Sequence, residues 1–240
     1  MNDDTSLTVI VLAVNETNSL KKVIEKILIF NFVEQIKIIS PNFVSKDCLE
    51  IQKKLSKNND KISCMIQPQN FPGIGGAVKY AATLVKTKYF CWVDGDGETD
   101  PYYLEEMFNI VKIDRTQDIV NASRFKNQKI IIKDYGFLSS ILTYLFQFLC
   151  RIFFCWKITD FTVAYRIYKT DFFNKFTFIS NDQNFALESI LTPVISKDVK
   201  VKEIFYQWTK RVEGETQNSF INKLSYFKIF FFVFYKKIKI

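Results

Sequence analysis

The sequence predicts an α/β fold: an open, mostly parallel sheet with helices on both faces. Short apolar segments rich in β-branched residues alternate along the chain with longer segments whose apolar residues repeat at helical spacing. The chain has 240 residues, of which 48% are hydrophobic and 24% charged, a composition typical of a folded domain. That composition excludes the disordered, collagen-like and disulfide-scaffold classes.

The first elements follow this alternation in order. Residues 7–14 are short, apolar and β-branched, which is typical of a buried parallel strand. A helix follows, capped by Thr17 or Asn18, and its apolar positions are Leu20, Val23, Ile24, Ile27 and Leu28. Further strands are predicted over 36–40, 62–66 and 89–93, and a helix over 45–57. Asp100 is expected to cap a helix over 102–111, with Pro101 at its first position.

The absence of histidine excludes several chemistries at once. No Ser-His-Asp triad, His general acid or His-ligated zinc site can form, so catalysis must use other polar side chains or an oxygen-bound metal. Five cysteines without a C-x-x-C pair argue against a disulfide framework and against a zinc site. We therefore expect them to be reduced core residues.

Residues 70–77, Asn-Phe-Pro-Gly-Ile-Gly-Gly-Ala, hold three of the seven glycines just before a predicted helix. Glycines in this position let backbone N–H groups approach a phosphate. They fit a tight turn with close helix–strand packing equally well, and both interpretations stay open. A P-loop is excluded because no Gly-Lys-Ser/Thr follows.

An acidic segment follows the fourth predicted strand and carries the strongest functional pattern. Asp94, Asp96, Glu98 and Asp100 lie within seven positions and would repel one another unless a cation lay between them. Asp94 and Asp96 point the same way in an extended segment, and Glu98 continues the alternation. Carboxylates without His or Cys indicate Mg²⁺ or Mn²⁺ held together with substrate phosphates. A solvated acidic turn is the alternative, and the position at a strand end favours function.

Five motifs occur in an order that resembles the family 2 glycosyltransferases of GT-A fold, and within them the dolichyl- and undecaprenyl-phosphate sugar transferases. The resemblance covers roughly residues 7–217. The motifs are Val14-Asn15-Glu16, Pro72-Gly73-Ile74-Gly75-Gly76-Ala77, Asp94 to Pro101, Ala122-Ser123-Arg124-Phe125 with Asp160 to Arg166, and Arg211 to Thr216.

The resemblance implies a role for each matching residue. Asp94 and Asp96 would hold the divalent cation that bridges the donor diphosphate, with Glu98 as a further ligand. The donor would also meet Val14, Glu16, Gly73, Gly75 and Arg211. Arg124, Ser139, Asp160 and Arg166 would lie at the acceptor. We predict Asp96, Arg124 and Arg211 as the catalytic residues.

The acceptor is predicted to be a polyprenyl phosphate, which is already anionic and needs no strong base. A hydroxyl acceptor would need one, for which Asp160 or Glu188 are candidates. In purely structural roles, Asp160 would cap a helix, Glu188 would lie on a solvated helix face, and Arg166 would pair with Asp160.

Two apolar segments point to a membrane surface. Residues 137–156 form an apolar helix with a narrow polar stripe of Ser139, Thr143, Gln147 and Arg151. We expect this helix to lie in the membrane interface; a membrane span and a core helix are the alternatives. Residues 219–240 are aromatic and basic, and residues 197–240 carry ten Lys or Arg against four acids. This end is predicted to meet an anionic membrane, with docking on the core or on a second subunit as alternatives and nucleic acid disfavoured.

The sequence therefore predicts a glycosyltransferase domain over 1–218 followed by a membrane-associating or docking segment. It would transfer a sugar from a nucleotide-diphosphate donor with inversion, on the cytoplasmic face of the cell membrane, since residues 1–6 do not resemble a signal peptide. Alternatives are a family 2 transferase that glycosylates a hydroxyl of a surface glycan, and a non-catalytic nucleotide- or partner-binding homologue at the membrane. The homologue is kept because Ser40, Ile74 and Leu12 depart from the family pattern.

Overall fold

A computed structural model describes residues 6–126, 129–130, 137–196, 198–208 and 220–239. They form a seven-stranded sheet, a two-stranded sheet and flanking helices. The strands are β1 Leu7–Leu12, β2 Val33–Ser40, β3 Ile62–Ile66, β4 Tyr89–Asp94, β5 Ile119–Ser123, β6 Phe125–Lys126, β7 Lys129–Ile130, β8 Arg166–Lys169 and β9 Val201–Phe205. The helices are α1 Asn18–Leu28, α2 Lys46–Asn58, α3 Gly73–Thr83, α4 Tyr103–Ile113, α5 Phe137–Phe153, α6 Thr170–Phe173, α7 Phe185–Val194 and α8 Phe220–Ile238.

The large sheet has the strand order β3-β2-β1-β4-β8-β5-β9. β1 pairs in parallel with β2 and with β4, β2 with β3, and β5 with β9. β8 runs antiparallel to both of its neighbours, β4 and β5. The predicted mostly parallel α/β sheet is confirmed, and every strand of this large sheet except β8 ends at the same edge, which we call the carboxyl edge.

Alternating side chains of the central strands fill a core on each face. Val9, Val11 and Cys91 point toward the layer that contains α1 and α4. Ile10, Phe90 and Trp92 point toward the opposite layer, built from α3, α5, α7 and α8. Because both faces are covered, the strands read as continuous apolar runs, which is why the sequence predicted them well.

Several predicted boundaries need adjustment, and the first is that β1 ends at Leu12 rather than at residue 14. Helix α4 begins at Tyr103, after a turn in which the Asp100 side chain accepts a hydrogen bond from the Tyr102 N–H at 3.2 Å, so Pro101 precedes the helix. β2 begins at Val33, three residues earlier than predicted. All five cysteines are free; Cys48, Cys91 and Cys150 are buried, as the core prediction expected, whereas Cys64 and Cys155 are only partly buried.

Helices α5 and α8 pack side by side in parallel through aromatic residues. The Phe146 ring lies 5.1 Å from that of Phe227, and the Phe153 ring lies 5.2 Å from that of Phe234. The seven-residue step is the same on both helices, so their C-terminal ends lie together. Among the described residues, no helix has the length and apolar content that a membrane span requires.

Candidate active site at the carboxyl edge of the sheet

Strand pairing brings the sequence motifs to one edge. Leu12 lies opposite Asp94 in the β1–β4 pair, so the 14–16 loop begins beside the acidic segment. The Gly95 N–H donates to the Leu12 carbonyl at 2.8 Å and fixes this neighbourhood. Arg124 follows β5 at the same edge, and Arg166 begins the antiparallel strand β8 there.

Asp94 and Asp96 flank a tight bend at the end of β4. Asp94 is partly exposed, whereas Asp96 is buried and its Oδ1 accepts a hydrogen bond from the Glu98 N–H at 2.8 Å. Gly95 lies so close to β1 that a Cβ would be 3.1 Å from the Leu12 carbonyl oxygen. Gly97 has a φ of +79°, a conformation that favours glycine. These two glycines let the chain carry both carboxylates on a short bend, and carboxylate oxygens suit Mg²⁺ or Mn²⁺.

Two glutamates near the bend also accept hydrogen bonds from the protein. Glu98 Oε1 accepts a hydrogen bond from Trp208 Nε1 at 2.8 Å, which ties the end of β9 to the acidic segment. Glu16 Oε2 accepts from the N–H groups of Val14 and Asn15 at 2.6 and 3.0 Å. No cluster of three or more acid, Cys or His side chains suited to a metal occurs in the described ranges. The metal-ligand role of Glu98 and the donor contacts of Val14 and Glu16 stay predictions.

The glycine loop packs closely against the segment before α7. The Gly75 N–H donates to the Asn181 carbonyl at 2.9 Å, and a Cβ on Gly75 would lie 2.7 Å from the Ser180 carbonyl oxygen. Gly73 has a φ of +68°, and its carbonyl accepts a hydrogen bond from Gln67 Nε2 at 2.8 Å. Close packing therefore accounts for these glycines, and donor binding by Gly73 and Gly75 stays a prediction.

Arg124 and Asp160 form a bidentate ion pair. Arg124 Nε donates to Asp160 Oδ2 at 2.6 Å, and Arg124 Nη2 donates to Asp160 Oδ1 at 2.8 Å. Asp160 is fully buried, and burial disfavours its ionised form, but the Arg124 guanidinium outweighs this and holds the pKa of that carboxyl below its usual range. Asp160 is thus an ionised buried partner and does not cap a helix.

A buried polar network lies behind this pair and was missed by sequence reasoning. Arg166 is fully buried, and its guanidinium donates to the Asn121 side chain and to the carbonyls of Phe161 and Ala186. Asn121 Nδ2 donates in turn to the Asp160 carbonyl and to Glu203 Oε1, at 2.8 and 2.6 Å. Burial favours a supporting role for Arg166, and its contact with the acceptor stays a prediction.

Glu203 completes the network from β9. Burial raises the pKa of its carboxyl, and hydrogen bonds from Thr159 and Asn121 offset only part of the increase. Its Oε2 accepts from the Thr159 N–H and hydroxyl, both at 2.8 Å. No short motif contains Glu203, because its partners lie far away in the chain.

Gln147 connects helix α5 to the same network. Its Nε2 donates to Asp160 Oδ1 at 3.1 Å and to the Thr162 hydroxyl at 2.8 Å, and its Oε1 accepts from the Phe161 N–H at 2.8 Å. Gln147 belongs to the predicted polar stripe, so that pattern held a signal for it. The side chain of Ser139 and all of Arg211 lie outside the described residues.

Glu188, the other candidate base, is buried in α7. Its two carboxylate oxygens accept hydrogen bonds from the N–H groups of Ile179 and Ser180, at 2.9 and 2.7 Å. The expectation of a solvated helix face is wrong for this residue, because it fixes the loop that packs against the glycine segment.

The mostly parallel seven-stranded sheet with flanking helices has the GT-A fold. The chain belongs to glycosyl transferase family 2, whose family model matches residues 8–177. It is therefore a glycosyltransferase. No curated protein matches the chain in sequence.

Solved structures of glucosyl-3-phosphoglycerate synthase from Mycobacterium tuberculosis are similar in fold. The complex with Mn²⁺, UDP and phosphoglyceric acid has a TM-score of 0.73 at 10% identity, covering 96% of this chain and 78% of that one. The complex with Mn²⁺, UDP-glucose and phosphoglyceric acid has a TM-score of 0.71 at 10% identity, covering 96% and 80%. For the complex with Mg²⁺ and UDP the TM-score is 0.70 at 10% identity, covering 95% and 79%.

Proposed function

We propose that this chain transfers a sugar from a nucleotide-diphosphate sugar to the phosphate of a polyprenyl phosphate, with inversion, using Mg²⁺ or Mn²⁺. The part of the proposal that concerns the donor depends on one observation, the Asp94–Asp96 bend at the carboxyl edge of a chain of family 2. Its support from the comparisons is that the similar synthase structures contain UDP or UDP-glucose with Mn²⁺, or UDP with Mg²⁺.

The residues of the bend fit a divalent cation. Asp94 and Asp96 would hold the ion, because carboxylate oxygens are the ligands that Mg²⁺ and Mn²⁺ prefer. When bound, the ion neutralises the negative charge that develops on the departing nucleotide diphosphate. The Glu98–Trp208 hydrogen bond steadies the chain that follows the bend.

The acceptor half of the proposal depends on the two candidate bases. The Asp160 carboxylate is held by Arg124 and Gln147 and has a lowered pKa, so it is a weak proton acceptor. Glu188 directs both oxygens at backbone N–H groups. Because both acids are occupied by hydrogen bonds, neither is available as a general base. An acceptor that is already ionised does not need a base, and a phosphate meets that condition.

A side-by-side transfer assay tests this proposal. The full chain is incubated with Mn²⁺ and a panel of labelled nucleotide-diphosphate sugars, each offered a short polyprenyl phosphate, the corresponding polyprenol or 3-phosphoglycerate. We expect label on the polyprenyl phosphate, and a loss on the order of 100-fold in Asp94→Asn. Asp100→Asn is the matched control within the acidic segment, because Asp100 serves a turn, and should keep its activity.

Three results would contradict the proposal. If sugar is transferred to polyprenol or to 3-phosphoglycerate but not to polyprenyl phosphate, the acceptor group is a hydroxyl and the proposed acceptor is wrong. Equal activity in wild type and Asp94→Asn would show that the acidic bend is not part of the active site. Absence of transfer with every donor would favour the non-catalytic alternative.

A further inference from the structure

Helix α5 buries the polar side chain of Gln147 beside its core-facing residues Phe146 and Cys150, and exposes large apolar side chains on its outer side. Gln147 is 1% exposed and points toward Asp160, whereas Leu145 and Ile152 are each 52% exposed. Phe148 and, just after the helix, Trp156 are exposed on the same side. A surface helix normally buries its apolar stripe and exposes its polar one.

Helix α8 continues this surface. Its buried side packs on α5 and the core through Phe230 and Val233. Its outer side exposes Phe231 by 61% and Tyr235 by 58%. We name the outer surface of the pair the aromatic face, formed by Leu145, Phe148, Ile152, Trp156, Phe231 and Tyr235. A contiguous apolar surface across two helices marks an interaction site.

The aromatic face ends in positive charge where the two helices end together. Arg151 lies over the Trp156 ring at 4.3 Å, Lys236 over Phe232 at 4.5 Å and Lys239 over Tyr235 at 4.2 Å. Lys237 Nζ reaches across to the Phe153 carbonyl at 2.5 Å. Residues 137–159 and 220–240 contain no Asp or Glu. Basic groups beside exposed aromatic rings are typical of proteins that bind anionic membrane surfaces.

We infer that the aromatic face binds an anionic lipid bilayer, with the apolar side chains in the interface and the basic end on the headgroups. Charge complementarity favours lipid over a second copy of the chain, because neither helix has an acidic residue to pair with the basic end of a partner. The inference goes beyond the proposed function and does not require it, since a bilayer without acceptor suffices.

Vesicle flotation with the full chain tests this inference. Vesicles contain either phosphatidylcholine alone or phosphatidylcholine with 30% phosphatidylglycerol, and neither contains polyprenyl phosphate. We expect wild type to float with the anionic vesicles, and the Trp156 emission to shift to the blue, a shift that Trp156→Phe abolishes. Leu145→Gln/Ile152→Gln and Lys236→Gln/Lys239→Gln should each weaken partitioning on the order of tenfold.

Matched controls use exposed residues elsewhere. Ile29→Gln/Ile113→Gln removes two exposed apolar side chains, one just after α1 and one at the end of α4, and Lys22→Gln/Lys53→Gln removes two exposed charges from α1 and α2. Both controls should float like wild type, and circular dichroism verifies that every variant is folded.

Three results would overturn the inference. Wild type could stay in the lipid-free fraction, or the controls could lose as much binding as the test variants. Sedimentation could also show a dimer that Leu145→Gln/Ile152→Gln converts to monomer, in which case a second copy covers the face. Each result stands apart from the transfer assay, because no donor or acceptor is present.

Discussion

Asp160 is enclosed by donors from several parts of the chain, and this enclosure explains the local geometry of the site. Arg124 supplies two side-chain hydrogen bonds, Gln147 supplies one from α5, and the Thr162 N–H supplies another at 3.2 Å. An ionised carboxylate in the interior is stable only while such donors remain.

Replacing Arg124 should therefore be costly. Arg124→Ala leaves a buried charge without its cation, and we expect a loss of about 3–5 kcal/mol in the free energy of unfolding at pH 7, measured by urea denaturation. Arg124→Lys keeps the charge but not the planar fork, so it should lose less. The exposed pair Lys26–Asp100, with atoms 3.1 Å apart, is the control, and Lys26→Ala should lose less than about 1 kcal/mol.

The loss of stability caused by Arg124→Ala should become smaller as the pH falls. Because the pKa of Asp160 is lowered in the folded state, its stabilisation is present above the unfolded value of about 3.9 and is lost as pH falls through the folded value. The difference between wild type and Arg124→Ala should therefore shrink as pH falls below about 4. A difference that is the same at pH 7 and pH 3 would contradict the pairing.

Sequence patterns could predict Asp94 and Asp96 but not the network behind them. The two aspartates lie on one short bend, so their spacing carries the signal. Gln147 lies in the polar stripe of α5, which gave a signal for it but not for its partner. Asn121 and Glu203 meet Asp160 across long sequence separations, and each looks like an ordinary polar residue in its own segment. Only the strand order of the sheet brings them together.

The glycine loop and α3 show how an element can be constrained by packing. Gly75 and Gly76 lie against backbone atoms, where a Cβ on Gly76 would be 2.3 Å from the Phe71 carbonyl carbon and oxygen. The sequence could not choose between phosphate binding and close packing, because both need small residues at a helix start. The distances to Ser180, Asn181 and Phe185 supply the packing explanation.

Gly75→Ala tests this explanation. Its Cβ would meet Phe185 Cβ and the Ser180 carbonyl oxygen, each at 2.7 Å, so the loop or α7 must shift. We expect a loss of about 1–3 kcal/mol in the free energy of unfolding, measured by urea denaturation. Ile74→Ala, at an exposed neighbouring position, is the control and should change little. Wild-type stability in Gly75→Ala would contradict the packing explanation.

Among the elements, the strands β1 to β4 were predicted, although the bounds of β1 and β2 differ from the prediction. β1 and β4 are largely apolar and buried, so a short apolar run was enough to place them. The other three strands of the large sheet, β5, β8 and β9, were not predicted, and β8 has only four residues and includes Arg166, which is buried only through the network described above. Helix α5 was predicted, but which of its sides faces the protein follows from the contact of Gln147 with Asp160.

At the scale of the whole molecule, the candidate active site and the aromatic face lie on different parts of the fold. Its carboxyl edge gathers the acidic bend, the Arg124–Asp160 pair and the end of β9. The layer containing α5 and α8 presents the aromatic face, and Gln147 joins that layer to the edge. In our account, the chain holds a nucleotide sugar at the edge while the aromatic face brings it to a lipid acceptor.

The central claim is that Asp94 and Asp96 hold the cation of a nucleotide-diphosphate donor. Anomalous diffraction from crystals grown with UDP and Mn²⁺ tests it most directly. The account predicts a manganese peak within about 2.5 Å of carboxylate oxygens of both aspartates, with the diphosphate on its other side. A nucleotide bound without manganese at the bend, or manganese bound elsewhere on the chain, would contradict it.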